Sequence, residues 1–238
     1  MNKVVSIFKS LGKNIISFFK RYGRRIAMSL FGVIICAISV GIFKIAVLGV
    51  DPFQSLMGGL DEMIPIDFGT LYVIVNAILL VFSIVFDRHN IGIATFINLF
   101  LLGYITDFTH QTLQKVIVEP NMAVRILCLV VGIVIICFGS AFYMTADLGV
   151  STYDAVAIVM SRKWKLGPFK YVRICTDIVC VIAGVVLFIL AGKGWNELMA
   201  IVGAGTIITA FFMGPLIDLF NKKVAIPFLN AGKKLEKK

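Results

Sequence analysis

Charged side chains are scarce in this sequence. They make up 15% of its 238 residues against 59% hydrophobic ones, and the mean hydropathy is +0.97. That is too little polar surface to clothe a soluble globule of this length, and no stretch is left over for a soluble domain. Acidic residues are scarcer than basic ones, 13 against 23, which gives a formal net charge of +10. Histidine occurs only at His89 and His110, far apart and in loop positions. The five cysteines, Cys36, Cys128, Cys137, Cys175 and Cys180, all fall within apolar stretches. With no CxxC pair and no histidine nearby, they indicate neither a disulfide framework nor a zinc site. There is no Ser-His pair, no HExxH motif and no pair of carboxylates on neighbouring apolar segments, which argues against an intramembrane enzyme. No metal or cofactor is expected.

Long apolar runs, by contrast, are abundant. About 20 apolar residues cross the roughly 30 Å of a bilayer core. Six candidate spans lie at 26–48, 68–86, 91–106, 122–146, 169–191 and 198–220, the third being short and extending toward Phe108. The expectation is an all-α membrane protein of six transmembrane helices. Basic residues orient such a chain. With the amino terminus inside, the clusters at Lys3 to Arg25, Arg88, Arg162 to Arg173, Lys222, Lys223 and the tail lysines are cytoplasmic, and only Lys115, Arg125 and Lys193 lie outside. Both termini are then cytoplasmic. This distribution accounts for the positive charge without any nucleic-acid surface. Lys44 sits near the outer end of the first span, where its stem allows it to snorkel.

Residues 1–25 form a separate unit in this reading. On a helical wheel Val4, Phe8, Leu11, Ile15, Phe18, Phe19 and Tyr22 share one face, and Lys9, Lys13, Ser17, Lys20 and Arg24 share the other. A signal peptide would not carry Lys13 in its apolar centre. A basic amphipathic helix lying on a bilayer with an anionic inner leaflet fits better. Residues 221–238 form a basic cytoplasmic tail.

The remainder repeats itself. "AVLGVDPFQSL" from Ala46 and "ADLGVSTYDAV" from Ala146 share Ala, Leu, Gly and Val at an offset of 100. "IGIATFINLFLLGYITDF" from Ile91 and "VGAGTIITAFFMGPLIDL" from Val202 share Gly92, Thr95, Ile97, Phe100, Gly103 and Asp107 with Gly203, Thr206, Ile208, Phe211, Gly214 and Asp218. Two repeats follow, at 26–118 and 119–220, with three spans each. An odd number of spans inserts the second copy upside down, and the loop charges agree: Asp51, Asp61, Glu62 and Asp67 lie outside, Arg162, Lys163 and Lys165 inside. Inverted repeats with interrupted segments at matching positions are typical of secondary transporters.

After each Leu-Gly-Val a short helix is expected. Asp51 and Ser151 are N-cap residues, Gln54 and Asp154 stand three positions on, and Pro52 suits N1. Gly49 and Gly149 are the hinge or C-cap positions. The short helices either cap surface turns or aim their positive dipole ends at an anionic group. Within the spans, Asp177 is the deepest carboxylate, and "LYVIVN" aligned with "VRICTD" makes Asn76 its counterpart. Asp177 is either a proton or cation site, with Asn76 as uncharged partner, or a structural pair with Arg173 one turn earlier. Thr95 and Thr206 either line the same cavity or bond a neighbouring helix.

"LGVDPFQSL", "LGVSTYDAV", "VRICTDIVCVIAGVVL" and "VGAGTIITAFFMGPLIDLF" together resemble the YczE/YyaS/YitT family of bacterial integral membrane proteins, over about residues 26–221. The family's turn often reads Gly-Pro-Trp-Asp. Here Asp51-Pro52-Phe53-Gln54 keeps the proline and Ser151-Thr152-Tyr153-Asp154 keeps the aspartate. The resemblance implies a multi-pass protein of the bacterial cytoplasmic membrane with about six helices, and it supplies no substrate. The functional expectation is a small secondary transporter. The alternatives are a non-transporting accessory or regulatory protein and the substrate-capture subunit of a larger transport complex.

Overall fold

The computed structural model describes the backbone of residues 2–199 and 201–235. Within these it describes the side chains of 22–168, 171–195, 197–199, 201–213 and 215–231. A long helix α1 (Asn2–Ala46) is followed by a short α2 (Pro52–Met63), then α3 (Phe68–Asp87) and α4 (Ile93–Val116). The order then recurs as α5 (Met122–Thr145), short α6 (Thr152–Ile158) prolonged by a π turn, and α7 (Phe169–Leu190). A one-turn α8 (Trp195–Leu198) precedes α9 (Ala204–Phe220), and α10 (Ile226–Leu235) follows a second π turn. No strand occurs among the described residues.

Four stretches are long and apolar enough to cross a membrane: Tyr22–Ala46, Phe68–Asn90, Met122–Thr145 and Tyr171–Leu190. A fifth arises if Ala204–Met213 and Pro215–Ala231, bent by 45°, form one span. Pro215 marks the bend, since proline lacks an N–H and its ring crowds the preceding turn. Helix α4 has the length, but Asn98, Asp107, His110, Gln111, Gln114 and Lys115 interrupt its apolar character. Helix α9 begins at Ala204 rather than near 198, because residues up to Gly203 are used in a crossover.

Helix α1 runs unbroken from Asn2, so the backbone of the amphipathic segment continues directly into the first span. The side chains of residues 1–21 that define its two faces lie outside the described residues. The carboxy-terminal segment folds back as α10. Phe228 packs 5.6 Å from Phe142, and the Arg24 guanidinium lies 4.5 Å above the Phe228 ring.

Helices α1 and α5 cross closely because small residues line the contact. A Cβ on Gly32 would meet Gly139 O at 2.6 Å, and one on Gly139 would meet Gly32 O at 2.8 Å. Seven residues further along α1, Ser39 Oγ donates to Gly132 O at 2.6 Å. The partner number falls as the α1 number rises, so the two helices are antiparallel. The short helices exchange sides: α2 packs on α7, and α6 packs on α3. The outer faces carry Ile74, Ile78, Val81 and Val85 on α3, and Ile178, Val179 and Ile182 on α7. Such exposed aliphatic surface suits lipid rather than water.

Candidate functional site

Each long helix that precedes a short one ends in the same way. Val47 and Asp147 both adopt φ +52°, and Gly49 and Gly149 follow at +94° and +112°. The glycine is required sterically as well. A Cβ on Gly49 would fall 2.5 Å from Gly203 N, and one on Gly149 would fall 2.5 Å from Gly92 N. Each break is held by the start of the third helix from the opposite half. Gly205 N donates to Leu48 O at 2.7 Å, and Ala94 N to Leu148 O at 3.0 Å. Val50 N donates to Ile201 O at 3.3 Å, and Val150 N to Asn90 O at 3.1 Å. The interrupted backbone, which would otherwise leave polar groups unpaired at membrane depth, is thereby satisfied.

Thr95 and Thr206 complete these joints. Gly92 N donates to Thr95 Oγ1 and Gly203 N to Thr206 Oγ1, both at 3.2 Å. The Thr95 hydroxyl donates on to Val150 O at 2.7 Å, and that of Thr206 to Ile201 O at 3.2 Å. Both threonines therefore clip backbone to backbone at the breaks, through loop carbonyls rather than through a neighbouring helix.

The short helices start where their capping residues indicate. Gln54 N donates to Asp51 Oδ1 at 3.2 Å, and Asp154 N to Ser151 Oγ at 3.1 Å. Their amino ends meet inside the protein: Phe53 and Tyr153, at equivalent positions, stack with ring centroids 4.9 Å apart and planes at 21°. Around this stack lies a charged cluster. Arg173 pairs with Asp154 and, through Nε at 3.2 Å, with Asp177 Oδ1. The same oxygen of Asp177 accepts from Tyr153 OH at 2.6 Å, while Asp154 Oδ2 accepts from Ser151 Oγ at 2.7 Å and Tyr143 OH at 3.2 Å. The Arg173 guanidinium also lies 4.2 Å from the Tyr153 ring centre. Asp51 is near enough to feel the charges of Arg173 and Asp177.

Asn76 reaches the neighbouring residue of the same short helix. Its Oδ1 accepts from the Thr152 hydroxyl, and its Nδ2 donates to Tyr72 O at 2.8 Å. Asp177 and Asn76 thus meet consecutive residues of α6, Tyr153 and Thr152, rather than each other. Sequence reasoning singled out neither Tyr143 nor Tyr153. It counted Arg173 with the cytoplasmic charges and also offered it as a structural pair for Asp177, four residues apart on one helix face, and the two do pair.

Two cavities flank this centre. One, of about 550 Å³, is lined by Asn90, Gly92, Met144, Asp147, Val150 and Arg162 among others. The second, of about 200 Å³, is lined by Lys44, Val50, Gln54, Asp61, Glu62 and Ile201 among others. The positions 44, 50 and 62 of one correspond to 144, 150 and 162 of the other, and 201 to 90. The Lys44 Nζ rests 3.3 Å from the centre of the Phe68 ring, a cation–π contact at the start of α3. Among the described residues no three His, Cys, Asp or Glu side chains converge as a metal site requires.

Several long apolar helices, lipid-suited outer faces and a charged interior define an all-helical membrane protein. The chain belongs to DUF6198, a family of unknown function, which it matches over residues 23–222. It is similar to the "Uncharacterized membrane protein YczE" of Bacillus subtilis (strain 168), with 26% identity over 202 residues, 84% of this chain and 86% of that protein. "Uncharacterized protein YyaS" of the same organism is 22% identical over 203 residues, 85% of this chain and 95% of that protein. An "Uncharacterized protein" of Haemophilus influenzae is 24% identical over 204 residues, 85% of each chain. No solved structure matches. The YczE/YyaS resemblance read from the turn motifs is borne out.

Proposed function

We propose that this protein is a small secondary transporter of the bacterial cytoplasmic membrane, with six crossings arranged as two inverted three-helix repeats and both termini in the cytoplasm. The observation that carries the reading is the reciprocity of the two breaks. Leu48 O and Leu148 O, Gly49 and Gly149, and Val50 and Val150 each meet the equivalent residue of the other half. Contacts in which i meets j and j meets i accompany a two-fold relation. The antiparallel course of α1 and α5 agrees with an axis lying in the membrane plane. Equivalent cavities at equivalent breaks are what a carrier needs if its halves exchange roles.

The interior supplies a coupling site. Two carboxylates, Asp154 and Asp177, pair with the guanidinium of Arg173, and Asp51 lies within electrostatic reach of it. The surplus negative charge is penalised in a low-dielectric interior and is relieved by a proton or a cation. Asp177 is the exchangeable member in this reading, and the Tyr153 hydroxyl is its reporter.

The filled centre, where Phe53 stacks on Tyr153, supports a second reading: a non-transporting accessory protein or a substrate-capture subunit. Two experiments separate these. In a cysteine-free background, Met63→Cys and Lys163→Cys, at equivalent exposed positions, are expected to react with an impermeant maleimide from opposite faces of the membrane; same-side labelling rules out inversion. In proteoliposomes carrying a pH dye, a metabolite panel is expected to include a solute that drives proton or cation movement, and Asp177→Asn is expected to abolish that movement. Solute-driven movement that survives Asp177→Asn removes the coupling role. No movement with any solute favours the accessory reading.

A further inference from the structure

The smaller cavity holds two charges of opposite sign that do not meet. Lys44 makes a cation–π contact with Phe68 but, among the described residues, has no hydrogen bond and no ion pair within 4 Å. Asp61, on the α2 side of the cavity, likewise has neither. Each senses the other electrostatically across the gap. Gln54 lines the same cavity, and its Oε1 is buried without any donor among the described residues. A buried acceptor without a donor is costly, and so is a half-buried ammonium without an ion-pair contact. Glu62 also lines the cavity, but Lys193 engages it at 2.8 Å, and His110 closes the remaining wall.

We infer that this cavity is a binding site for a small zwitterion of the amino-acid type, whose carboxylate meets Lys44 and whose ammonium meets Asp61 and Gln54 Oε1. A cavity of about 200 Å³ takes the place of six or seven waters, at roughly 30 Å³ each. Alanine and serine have that number of heavy atoms, glycine has one fewer, and tryptophan has far more. A lone anion would leave Asp61 without a partner, and a lone cation would leave Lys44 without one. Only a solute bearing both charges satisfies the two groups at once. The larger cavity has Met144 where this one has Lys44, and its own carboxylate, Asp147, is already paired with Arg25 at 3.2 Å. This inference names the solute class for the carrier proposed above and rests on that reading for its role in transport, though not for binding itself.

The test is equilibrium binding to the full-length protein in nanodiscs, with glycine, L-alanine, L-serine, L-tryptophan, acetate and methylammonium as probes and the thermal midpoint as readout. The three small zwitterions are expected to raise the midpoint saturably. Tryptophan is expected to do nothing, and acetate and methylammonium, alone or together, are expected to bind about tenfold or more weakly. Lys44→Met and Asp61→Asn are each expected to weaken alanine binding by about tenfold or more. Should either variant fail to fold, modification of Lys44 in the wild-type protein by an amine-reactive reagent decides: alanine is expected to protect it and methylammonium is not. No saturable shift with any zwitterion, a water-filled cavity only, overturns the inference, as does alanine binding that both variants leave unchanged. Binding without flux leaves the site standing and removes the transporter. Flux of some other solute without amino-acid binding does the reverse.

Discussion

Removing the Arg173 guanidinium should unfold the protein more readily than any other single loss of charge. At the 3.2 Å separation from Asp177, and with an effective dielectric of about 20, the gross attraction is about 5 kcal/mol. The pair with Asp154 adds to it. Desolvation offsets much of this gain while all partners are present, but deleting one partner leaves the others buried without compensation, at a cost of roughly 3–5 kcal/mol. Side-chain exposures of 26% for Arg173, 14% for Asp154 and 16% for Asp177 leave little room for screening by water. Arg173→Met is therefore expected to lose about 3–5 kcal/mol in SDS-titrated unfolding from mixed micelles. The readout is the fluorescence of Trp164, whose ring packs against Phe82 and Phe86. The triple variant Asp154→Asn, Arg173→Met, Asp177→Asn removes every charge of the cluster and is expected to recover most of that loss. If Arg173→Met costs less than about 1 kcal/mol, or the triple variant is no better than the single one, the three charges do not act as one buried unit.

Two further outcomes follow from the joints and caps. Gly203→Ala would bring a Cβ within 2.5 Å of Leu48 O and force the crossover apart, at a cost of about 1–3 kcal/mol or more in the same unfolding assay. Gly23→Ala, where nothing lies within 4 Å, is the control and is expected to be neutral or to stabilise α1 by about 0.5–1 kcal/mol. At the start of α3, the Thr70 N–H donates to Asp67 Oδ2 at 2.7 Å and holds that exposed carboxyl below its ordinary value. A lowered value means the stabilisation is complete above about pH 4 and is lost as the pH falls through the folded value. The stability difference between wild type and Asp67→Asn is expected to shrink between pH 5 and pH 2, and a constant difference would show that the cap does not depend on charge.

What the sequence discloses here is mainly backbone. A residue that must adopt a left-handed conformation, or cap a helix, leaves its identity in the chain, so Gly49, Gly149, Asp51 and Ser151 were legible. The start of α9 was not. Residues 199–203 are apolar enough to extend a span, and hydropathy does not distinguish an apolar helix from an apolar turn. The third span was also harder to delimit because α4 carries polar residues that face the protein interior, such as the buried Asn98. Side-chain partnerships between distant segments were hidden for a different reason. Tyr153 is one aromatic among many until α6 is laid beside α7, and the contact of Lys44 with Phe68 shows only once the chain is folded.

The two halves keep their likeness where backbone meets backbone and lose it where side chains face the interior. Glycines 49 and 149, 92 and 203, and threonines 95 and 206 recur because the crossover geometry tolerates nothing larger or less able to bond. At the amino ends of the short helices the copies differ at every position: Asp51 and Ser151, Pro52 and Thr152, Phe53 and Tyr153, Gln54 and Asp154. The same holds for Asn76 and Asp177, and for Lys44 and Met144. In the two-fold arrangement proposed above, a repeated frame thus carries an unsymmetrical interior. The Asp154–Arg173–Asp177 cluster lies with α6 and α7, whereas Lys44 and Asp61 lie with α1 and α2. A carrier built this way binds its solute more tightly when open toward α2 than when open toward α6. Its apparent affinity, measured in right-side-out and inside-out vesicles, should therefore differ between the two faces, and equal affinities would contradict the division of labour argued here.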